Sequence, residues 1–212
     1  MDKKGNEFKG LAGGANYKRF AALIGMNEEY YRRCIGNLKL AAGMKALDLG
    51  CGPGALSYAL AEKADPDSEI IGIDISEDQL NYARSRIDDF KCCLEFKNIS
   101  MDELLFPDEY FDVVITSMAL HVTPPKIRRA AIAETARVLK SGGLFLLVDW
   151  SKPKFGLQGI FWFPMLRWGQ NNKDNWNNVY PQLCDKQNLV LTEDTYINSV
   201  ARKQVFEKRI IQ

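Results

Sequence analysis

The sequence predicts an α/β fold with a doubly wound, mostly parallel sheet. Short apolar runs of strand length alternate with amphipathic helical segments between about residues 45 and 150. The first run, Lys45–Leu49, is followed by three glycines within five positions, 50–54, and then by a helical pattern. Strand, glycine turn and helix form the first unit of a Rossmann-like fold, in which ligands bind at the carboxyl ends of the strands. We therefore expect a ligand site at this turn.

The segment before the first strand predicts two cap helices within residues 15–40. Apolar residues recur at helical spacing over 16–37, and the pattern breaks near Gly25. We expect these helices to pack over the mouth of the glycine loop. Tyr17 and Arg19 are candidates to reach the carboxylate of a bound amino acid. An ordinary aromatic residue at a helix start and a solvated arginine fit the same pattern equally well.

The later apolar runs predict the rest of the sheet. Each run is three to nine residues long and is bounded by turn residues, as expected of strands. The predicted strands after the first are 70–74, 94–96, 111–115, 144–149, and an antiparallel pair at 189–196 and 202–210.

Two turn signals predict helix boundaries. Ser76 and Gln79 have the spacing of a capping box, so a helix is expected to begin after the second strand. Helical spacing over 127–138 is followed by Ser-Gly-Gly at 141–143, which predicts a glycine C-cap. The loop between the fourth strand and this helix contains His121, the only histidine of the chain.

Three interpretations compete for the glycine loop. Gly50, Gly52 and Ala55 satisfy the dinucleotide pattern G-x-G-x-x-G/A, and Asp74 lies near the distance expected for a ribose-binding acid. Asp48, directly before the glycines, favours a different nucleotide-like ligand. A plain tight turn between strand and helix is the third interpretation.

Asp74 is the acid at the end of the second predicted strand. A carboxylate in that position can accept hydrogen bonds from both hydroxyls of a ribose, and its burial without such partners would be costly. We therefore predict that Asp74 binds a ribose, with an ordinary loop acid as the alternative.

Residues 47–54, Leu-Asp-Leu-Gly-Cys-Gly-Pro-Gly, resemble the first motif of the class I S-adenosylmethionine (SAM) methyltransferases (methyltransferase-11-like). Residues 104–112 and 137–143 also resemble this family, and five motifs occur in its order over about residues 45–150. The resemblance implies a seven-stranded sheet with an antiparallel last strand, in a single methyltransferase domain of residues 1–212. It also implies SAM as the cofactor, whose amino-acid end the glycines would approach closely.

The resemblance further implies a set of cofactor-binding residues. In the family an Asp-Ala pair before the fourth strand contacts the adenine, and Ser100 and Met101 occupy the matching positions. Ser100 can form one hydrogen bond, and the backbone at Met101 can meet the adenine edge. The predicted cofactor-binding residues are Tyr17, Asp48, Gly50, Cys51, Gly52, Gly54, Asp74, Ile75, Ser100, Met101 and Ser117.

A narrower resemblance is to the ubiquinone/menaquinone-biosynthesis C-methyltransferases. It rests on 16–19 and 31–33 before the first strand, and on 148–153 and 164–169 after the fifth. Those enzymes carry Gly-Leu-Arg-Asn after the fourth strand, whereas this chain has Ala-Leu-His-Val at 119–122. A relative with another acceptor is therefore an equally open interpretation.

His121 is the candidate catalytic residue. In SAM-dependent methyl transfer the sulfonium already activates the methyl group, so the protein mainly aligns the acceptor and excludes water. An oxygen or phenol-activated carbon acceptor must also lose a proton, and a histidine titrates near neutral pH. Asp149 is an alternative base, and a structural loop histidine is the alternative without chemistry.

The most aromatic stretch of the chain, 155–168, follows the fifth strand. We expect it to form part of a lid-like insertion, 150–185, that supplies an apolar wall for an apolar or aromatic, quinone- or lipid-like acceptor. Packing into the core is the alternative, because aromatic residues are commonly buried. Peripheral contact with a membrane through 155–168 is a further interpretation.

Composition limits the class of partner. Of 212 residues 46% are apolar, which suffices for one domain with a full core. The positive charges of Lys and Arg (28) nearly cancel the negative charges of Asp and Glu (27). Because nucleic-acid binding needs a concentrated basic surface, we do not expect nucleic acid as a main partner.

The five cysteines lack C-x-x-C spacing, so neither a disulfide framework nor a metal site is expected. With no signal-peptide or bilayer-spanning pattern, we predict a soluble cytoplasmic protein that methylates a small molecule.

Two other classes of function remain open at this stage. The G-x-G-x-x-A spacing also occurs in nicotinamide-dependent oxidoreductases, although Asp48 and the C-terminal antiparallel strands argue against that class. The other alternative is a non-catalytic SAM-binding protein, in which the aromatic stretch docks a protein or a membrane. A binding assay with SAM and NADH separates the first alternative from methyl transfer.

Overall fold

The computed structural model of the protein describes residues 14–23, 25–36, 38–154 and 173–210. The strands in these ranges are β1 (Lys45–Leu49), β2 (Glu69–Asp74), β3 (Cys93–Asn98), β4 (Phe111–Ser117), β5 (Leu139–Trp150), β6 (Leu189–Tyr196) and β7 (Ala201–Lys208). They form a seven-stranded sheet in the order β3-β2-β1-β4-β5-β7-β6. Strand β7 runs antiparallel to both of its neighbours, while β1 to β5 pair in parallel. The predicted seven-stranded sheet with an antiparallel last strand is confirmed.

Helices cover both faces of this sheet. They are α1 (Gly14–Leu23), α2 (Glu28–Ile35), α3 (Ala55–Ala61), α4 (Glu77–Arg84), α5 (Pro125–Val138), α6 (Lys173–Trp176) and α7 (Tyr180–Asp185). Neighbouring residues of a strand point to opposite faces, so β1, β2, β4, β5 and β7 each contribute to two apolar clusters. Ala46 belongs to the cluster that includes residues of α2 and α3, and Leu47 to the cluster that includes residues of α5 and α7.

The two helices predicted before the first strand are present. They are separated near Gly25, whose φ of +91° favours glycine. Helix α2 begins after Asn27, whose side-chain oxygen accepts a hydrogen bond from the Tyr30 backbone N–H at 3.0 Å. Helix α2 then packs against α3, which follows the glycine loop.

The predicted capping box at the start of α4 is wrong. Ser76 occupies the N-cap position, but its side chain forms no capping hydrogen bond to the helix. Gln79 is 1% exposed, and its side-chain oxygen accepts a hydrogen bond from the Gly14 backbone N–H at 3.0 Å. The glutamine therefore links the first turn of α1 to α4, a contact between residues 65 positions apart that no local pattern reveals.

The predicted glycine C-cap after α5 is also wrong. The helix ends at Val138, and Leu139 is already extended, so β5 begins there. Gly142 and Gly143 lie inside β5, where three extra residues interrupt its pairing with β4. A Cβ at Gly143 would lie 3.0 Å from the carbonyl oxygen of Asp112 on β4, so the close approach of the two strands explains this glycine.

Part of the predicted insertion lies outside the described residues. The aromatic stretch 155–168, with the lid and membrane predictions that depend on it, falls in the range 155–172. Residues 173–185 include α6 and α7, and α7 packs against α5 and β6 with Tyr180 and Cys184 buried. In the described ranges, no helix combines the length and the apolar character that crossing a bilayer requires.

Candidate active site

The glycine loop joins β1 to α3 and has a left-handed backbone at its three glycines. Gly50 has a φ of +67°, and a Cβ there would lie 2.6 Å from the Cβ of Ala119 in the loop after β4. Gly52 has a φ of +52° and faces open space. A Cβ at Gly54 would lie 2.8 Å from the Tyr58 ring, so Gly54 allows helix packing. The close approach of Ala119 therefore explains why a glycine stands at 50, and the left-handed backbone explains the glycine at 52.

A cavity opens at the carboxyl ends of β1, β2 and β4, where a doubly wound sheet binds its ligands. Its space, including the open mouth, is about 860 Å³. The predicted residues that line it are Asp48, Gly50, Cys51, Gly52, Asp74, Ile75, Ser100, Met101 and Ser117. Gly54 does not line it, and the side chain of Tyr17 lies outside the described part of the chain.

Sequence reasoning missed several of the lining residues. They include Tyr31 of α2, Gln79 of α4, Leu56, Ile99 and Thr123. Tyr31 extends the site to the cap helices, as expected of helices near the mouth of the loop. The capping-box spacing of Gln79 does not reflect a capping role. Its place in the site follows from its burial in the fold and its position in the cavity lining.

Asp74 organises the loop at the end of β2. Its Oδ2 accepts a hydrogen bond from the Gly52 backbone N–H at 2.9 Å, and its Oδ1 accepts one from the Ser76 N–H at 2.8 Å. Burial raises the pKa of Asp74, and the hydrogen bonds from the backbone oppose that rise. Each carboxylate oxygen has a second acceptor position. The two hydroxyls of a ribose match that acceptor set.

Asp48 is a buried acid behind the glycines. It is 1% exposed, and its Oδ2 accepts a hydrogen bond from the Ser57 hydroxyl at 2.6 Å. Burial raises the pKa of Asp48 to about 7, and the nearby charge of Asp74 adds to the rise. A cationic group in the cavity would favour the ionised form of this carboxyl, because opposite charges lower a carboxyl pKa.

His121 and Asp149 meet at the ends of β4 and β5. His121 lies in a 3₁₀ turn, Leu120–Val122, and its backbone N–H donates to Asp149 Oδ2 at 3.0 Å. The ring Nδ1 lies 2.7 Å from Asp149 Oδ1. A carboxylate only accepts hydrogen bonds, so we assign the proton to Nδ1. Nε2 is then the nitrogen that can accept a proton.

Asp149 is buried and His121 is half-buried beside the cavity. The side chain of Asp149 is 2% exposed and that of His121 is 18% exposed. His121 does not itself line the cavity, but Ala119 and Val122 of the same loop do. Asp149, which the sequence indicates as an alternative base, contacts the ring of His121 through its Oδ1.

The residues of the cavity fit SAM. Asp74 offers acceptors for two hydroxyls, and Asp48 offers a buried acid for a cationic sulfonium or amino group. Apolar side chains of Ile75, Ile99 and Met101 line the wall that would face a planar base. No Cβ at Gly50 or Gly52 restricts the approach of an amino-acid end.

Comparison with known proteins agrees with this chemistry. A family model described as "Methyltransferase domain" matches residues 46–143. The ubiquinone/menaquinone biosynthesis C-methyltransferase UbiE of Bordetella avium (strain 197N) is 32% identical over 174 residues, 81% of this chain and 67% of the relative. The demethylmenaquinone methyltransferase of Symbiobacterium thermophilum is 31% identical over 154 residues, 68% of this chain and 60% of the relative. The chain thus spans about two thirds or less of the length of these curated relatives.

Solved structures show the same fold. A SAM-dependent methyltransferase from Aquifex aeolicus superposes with a TM-score of 0.68 at 17% identity, covering 89% of this chain and 93% of that one. The sequence comparisons support the methyltransferase interpretation of the glycine loop. The chain belongs to the class I SAM-dependent methyltransferases, and SAM is its cofactor.

Proposed function

We propose that this enzyme methylates a small hydroxylated aromatic acceptor of the quinol type, with His121 as the general base. The observation that carries the proposal is the contact of 2.7 Å between His121 Nδ1 and Asp149 Oδ1. A carboxylate at Nδ1 sets the tautomer of the ring and stabilises its protonated form. That arrangement suits a histidine that accepts a proton, and a hydroxylated acceptor has one to give.

The surroundings of His121 favour an apolar, aromatic acceptor. The ring of Trp150 lies edge-on to the imidazole, with ring centroids 6.3 Å apart. Met118, Ala119 and Val122 of the loop after β4 add apolar surface to the cavity. Aromatic ligands are bound by such walls together with a few placed polar groups.

When bound, SAM supplies a methyl group on a sulfonium, and the electron pair of the broken S–CH₃ bond stays on sulfur. In the proposed reaction His121 Nε2 takes the hydroxyl proton of the acceptor. The oxygen electrons then increase the electron density at the adjacent ring carbon, which forms the new bond to the methyl group. Loss of the proton from that carbon to solvent restores the aromatic ring as its oxyanion, which takes back the proton held by His121. Asp149 stabilises the protonated imidazole during these steps.

The names of the relatives support a quinol acceptor. They are a C-methyltransferase of ubiquinone and menaquinone biosynthesis and a demethylmenaquinone methyltransferase. A quinol carries the hydroxyl proton that the His121–Asp149 pair would remove. The same pair also suits methylation of the hydroxyl oxygen, so the position of the new methyl group must be read from the product.

The test is an anaerobic incubation with SAM labelled in its methyl group and a reduced 2-prenyl-1,4-naphthoquinone. The matched control is the 1,4-dimethyl ether of the same compound, which has the same ring and chain but no hydroxyl proton. We expect one labelled methyl group in the quinol product, located by mass spectrometry and NMR, and none in the ether. Labelling of the ether at the same rate, or no labelling of the quinol, would contradict the proposal.

A further inference from the structure

We propose that Arg128 is a positioning residue for the reaction: its guanidinium clamps the turn that carries His121 and ties it to Asp174. The proposal rests on the role of His121 given above. It adds a residue on α5 that the motifs of the sequence do not indicate and that does not touch the cavity.

The guanidinium of Arg128 reaches the turn on both sides of His121. Nε donates to the carbonyl oxygen of Leu120 at 3.0 Å, and Nη2 donates to the carbonyl oxygen of Thr123 at 2.8 Å. These carbonyls belong to the residue before His121 and to the residue that directly follows the 3₁₀ turn. The planar fork of an arginine can hold both at once, which a lysine cannot do.

The third contact of Arg128 is with Asp174 on α6. Nη1 donates to Asp174 Oδ2 at 2.8 Å, and the Arg128 side chain has no exposed surface. The Asp174 side chain is 17% exposed. A buried ion pair adds little to stability compared with well-packed apolar residues. The pair is therefore better explained by the geometry that it imposes on the His121 turn than by a gain in stability.

Helix α6 also contacts the strand that carries Asp149. The side-chain amide of Asn175 donates to the Trp150 carbonyl oxygen at 2.9 Å, and its oxygen accepts from the Tyr180 hydroxyl at 2.7 Å. The Trp150 backbone N–H in turn donates to Asp149 Oδ1 at 2.8 Å. Helix α6 thus holds both members of the His121–Asp149 pair. Asp174 acts on His121 through Arg128, and Asn175 holds the residue next to Asp149.

Arg137 provides a matched control at the other end of α5. Its guanidinium donates to the carbonyl oxygens of Phe106 and Leu104, each at 2.8 Å, and pairs with Glu134 at 2.8 Å. Like Arg128, Arg137 holds two loop carbonyls and pairs with carboxylates, in this case both Glu134 and Asp108. The loop that it holds does not contain His121.

The single histidine of the chain makes the test direct. Untagged protein of residues 1–212, labelled with ¹⁵N in histidine, gives the ring signals of His121 alone. Their shifts report which ring nitrogen carries the proton, independently of turnover. We would compare the wild type with Arg128→Lys, Asp174→Asn and Arg137→Lys, and measure kcat and the KM for SAM with the naphthoquinol in parallel.

We expect the wild type to carry its proton on Nδ1. In Arg128→Lys and Asp174→Asn the population protonated on Nε2 should rise, and kcat should fall roughly ten- to hundredfold, the cost of a small misplacement of a reacting group. The KM for SAM should stay unchanged. Arg137→Lys should lower thermal stability without moving the His121 signals.

The proposal is overturned if Arg128→Lys and Asp174→Asn keep the wild-type His121 signals and kcat while losing as much stability as Arg137→Lys. Asp174→Asn keeps the two carbonyl contacts of Arg128, so it tests the proposal even where Arg128→Lys does not fold. Failure of the proposed function gives a different result. His121→Ala would then turn over normally, while the shift of the His121 signals in Arg128→Lys would still establish positioning.

Discussion

Asp149 holds His121 at two atoms, the backbone N–H at 3.0 Å and the ring Nδ1 at 2.7 Å. The two residues are 28 positions apart in the chain and meet because β4 and β5 are parallel neighbours in which Ser117 pairs with Val148. Residues that follow these paired positions emerge at the same edge of the sheet. The sheet thus places His121, the proposed base, and the carboxylate that holds it beside the cofactor cavity.

Asp74→Ala should weaken SAM binding by roughly 1–3 kcal/mol, because charge-assisted hydrogen bonds to the ligand are lost. Isothermal titration calorimetry with SAM measures the change. Asp67→Ala removes an exposed acid from the turn before β2 and is the matched control, with no expected effect. A folded Asp74→Ala variant that binds SAM as the wild type does would contradict the assignment.

Asp48 should make the stability of the protein fall as the pH rises. Its pKa is raised from 3.8 to about 7 in the folded state, so between these values the folded state keeps a proton that the unfolded state has lost. The free energy of unfolding then decreases with pH by up to about 1.4 kcal/mol per unit, and the decrease ends above about pH 7.

Urea unfolding of the wild type and Asp48→Asn over this pH window isolates the effect. The difference in unfolding free energy between the two proteins should change in favour of the variant as the pH rises. A difference that is constant with pH would show that Asp48 ionises normally. SAM should reduce the wild-type effect, because a cationic ligand favours the ionised carboxyl.

Gly50→Ala should lower both thermal stability and SAM affinity. Its Cβ would lie 2.6 Å from that of Ala119, and a φ of +67° costs a non-glycine residue about 1 kcal/mol or more. The double variant Gly50→Ala/Ala119→Gly removes the clash but not the backbone strain, so it should recover part of the melting temperature. No recovery in the double variant would place the cost in the backbone alone.

Much of the sheet was predictable because its strands leave a local trace. Lys45–Leu49 and Leu189–Tyr196 were predicted with the bounds that the structure shows, since apolar or alternating runs of strand length ended at turn residues. Asp48, Asp74, Gly50 and Gly52 could be assigned to the site for a similar reason. A strand that ends in an acid beside a glycine turn has a known geometry.

The errors and omissions involve contacts between distant residues. Gly142 and Gly143 resemble a helix C-cap, but the approach of β4 determines their role. Gln79 resembles a capping residue, but its partner is Gly14. Arg128 looks like a surface residue of an amphipathic helix, and only the fold shows it buried against the His121 turn.

The central claim is that His121 removes the hydroxyl proton of the methyl acceptor. The most direct measurement is the turnover of His121→Ala with the naphthoquinol at saturating SAM, from about pH 6 to about pH 9. We expect kcat to fall roughly 10²- to 10⁴-fold, the usual contribution of a general base, with partial recovery on addition of imidazole. The dissociation constant of SAM should remain that of the wild type, and Asp149→Asn should show a loss of the same kind. Full turnover by a folded His121→Ala variant across this range would contradict the account and make His121 a structural residue.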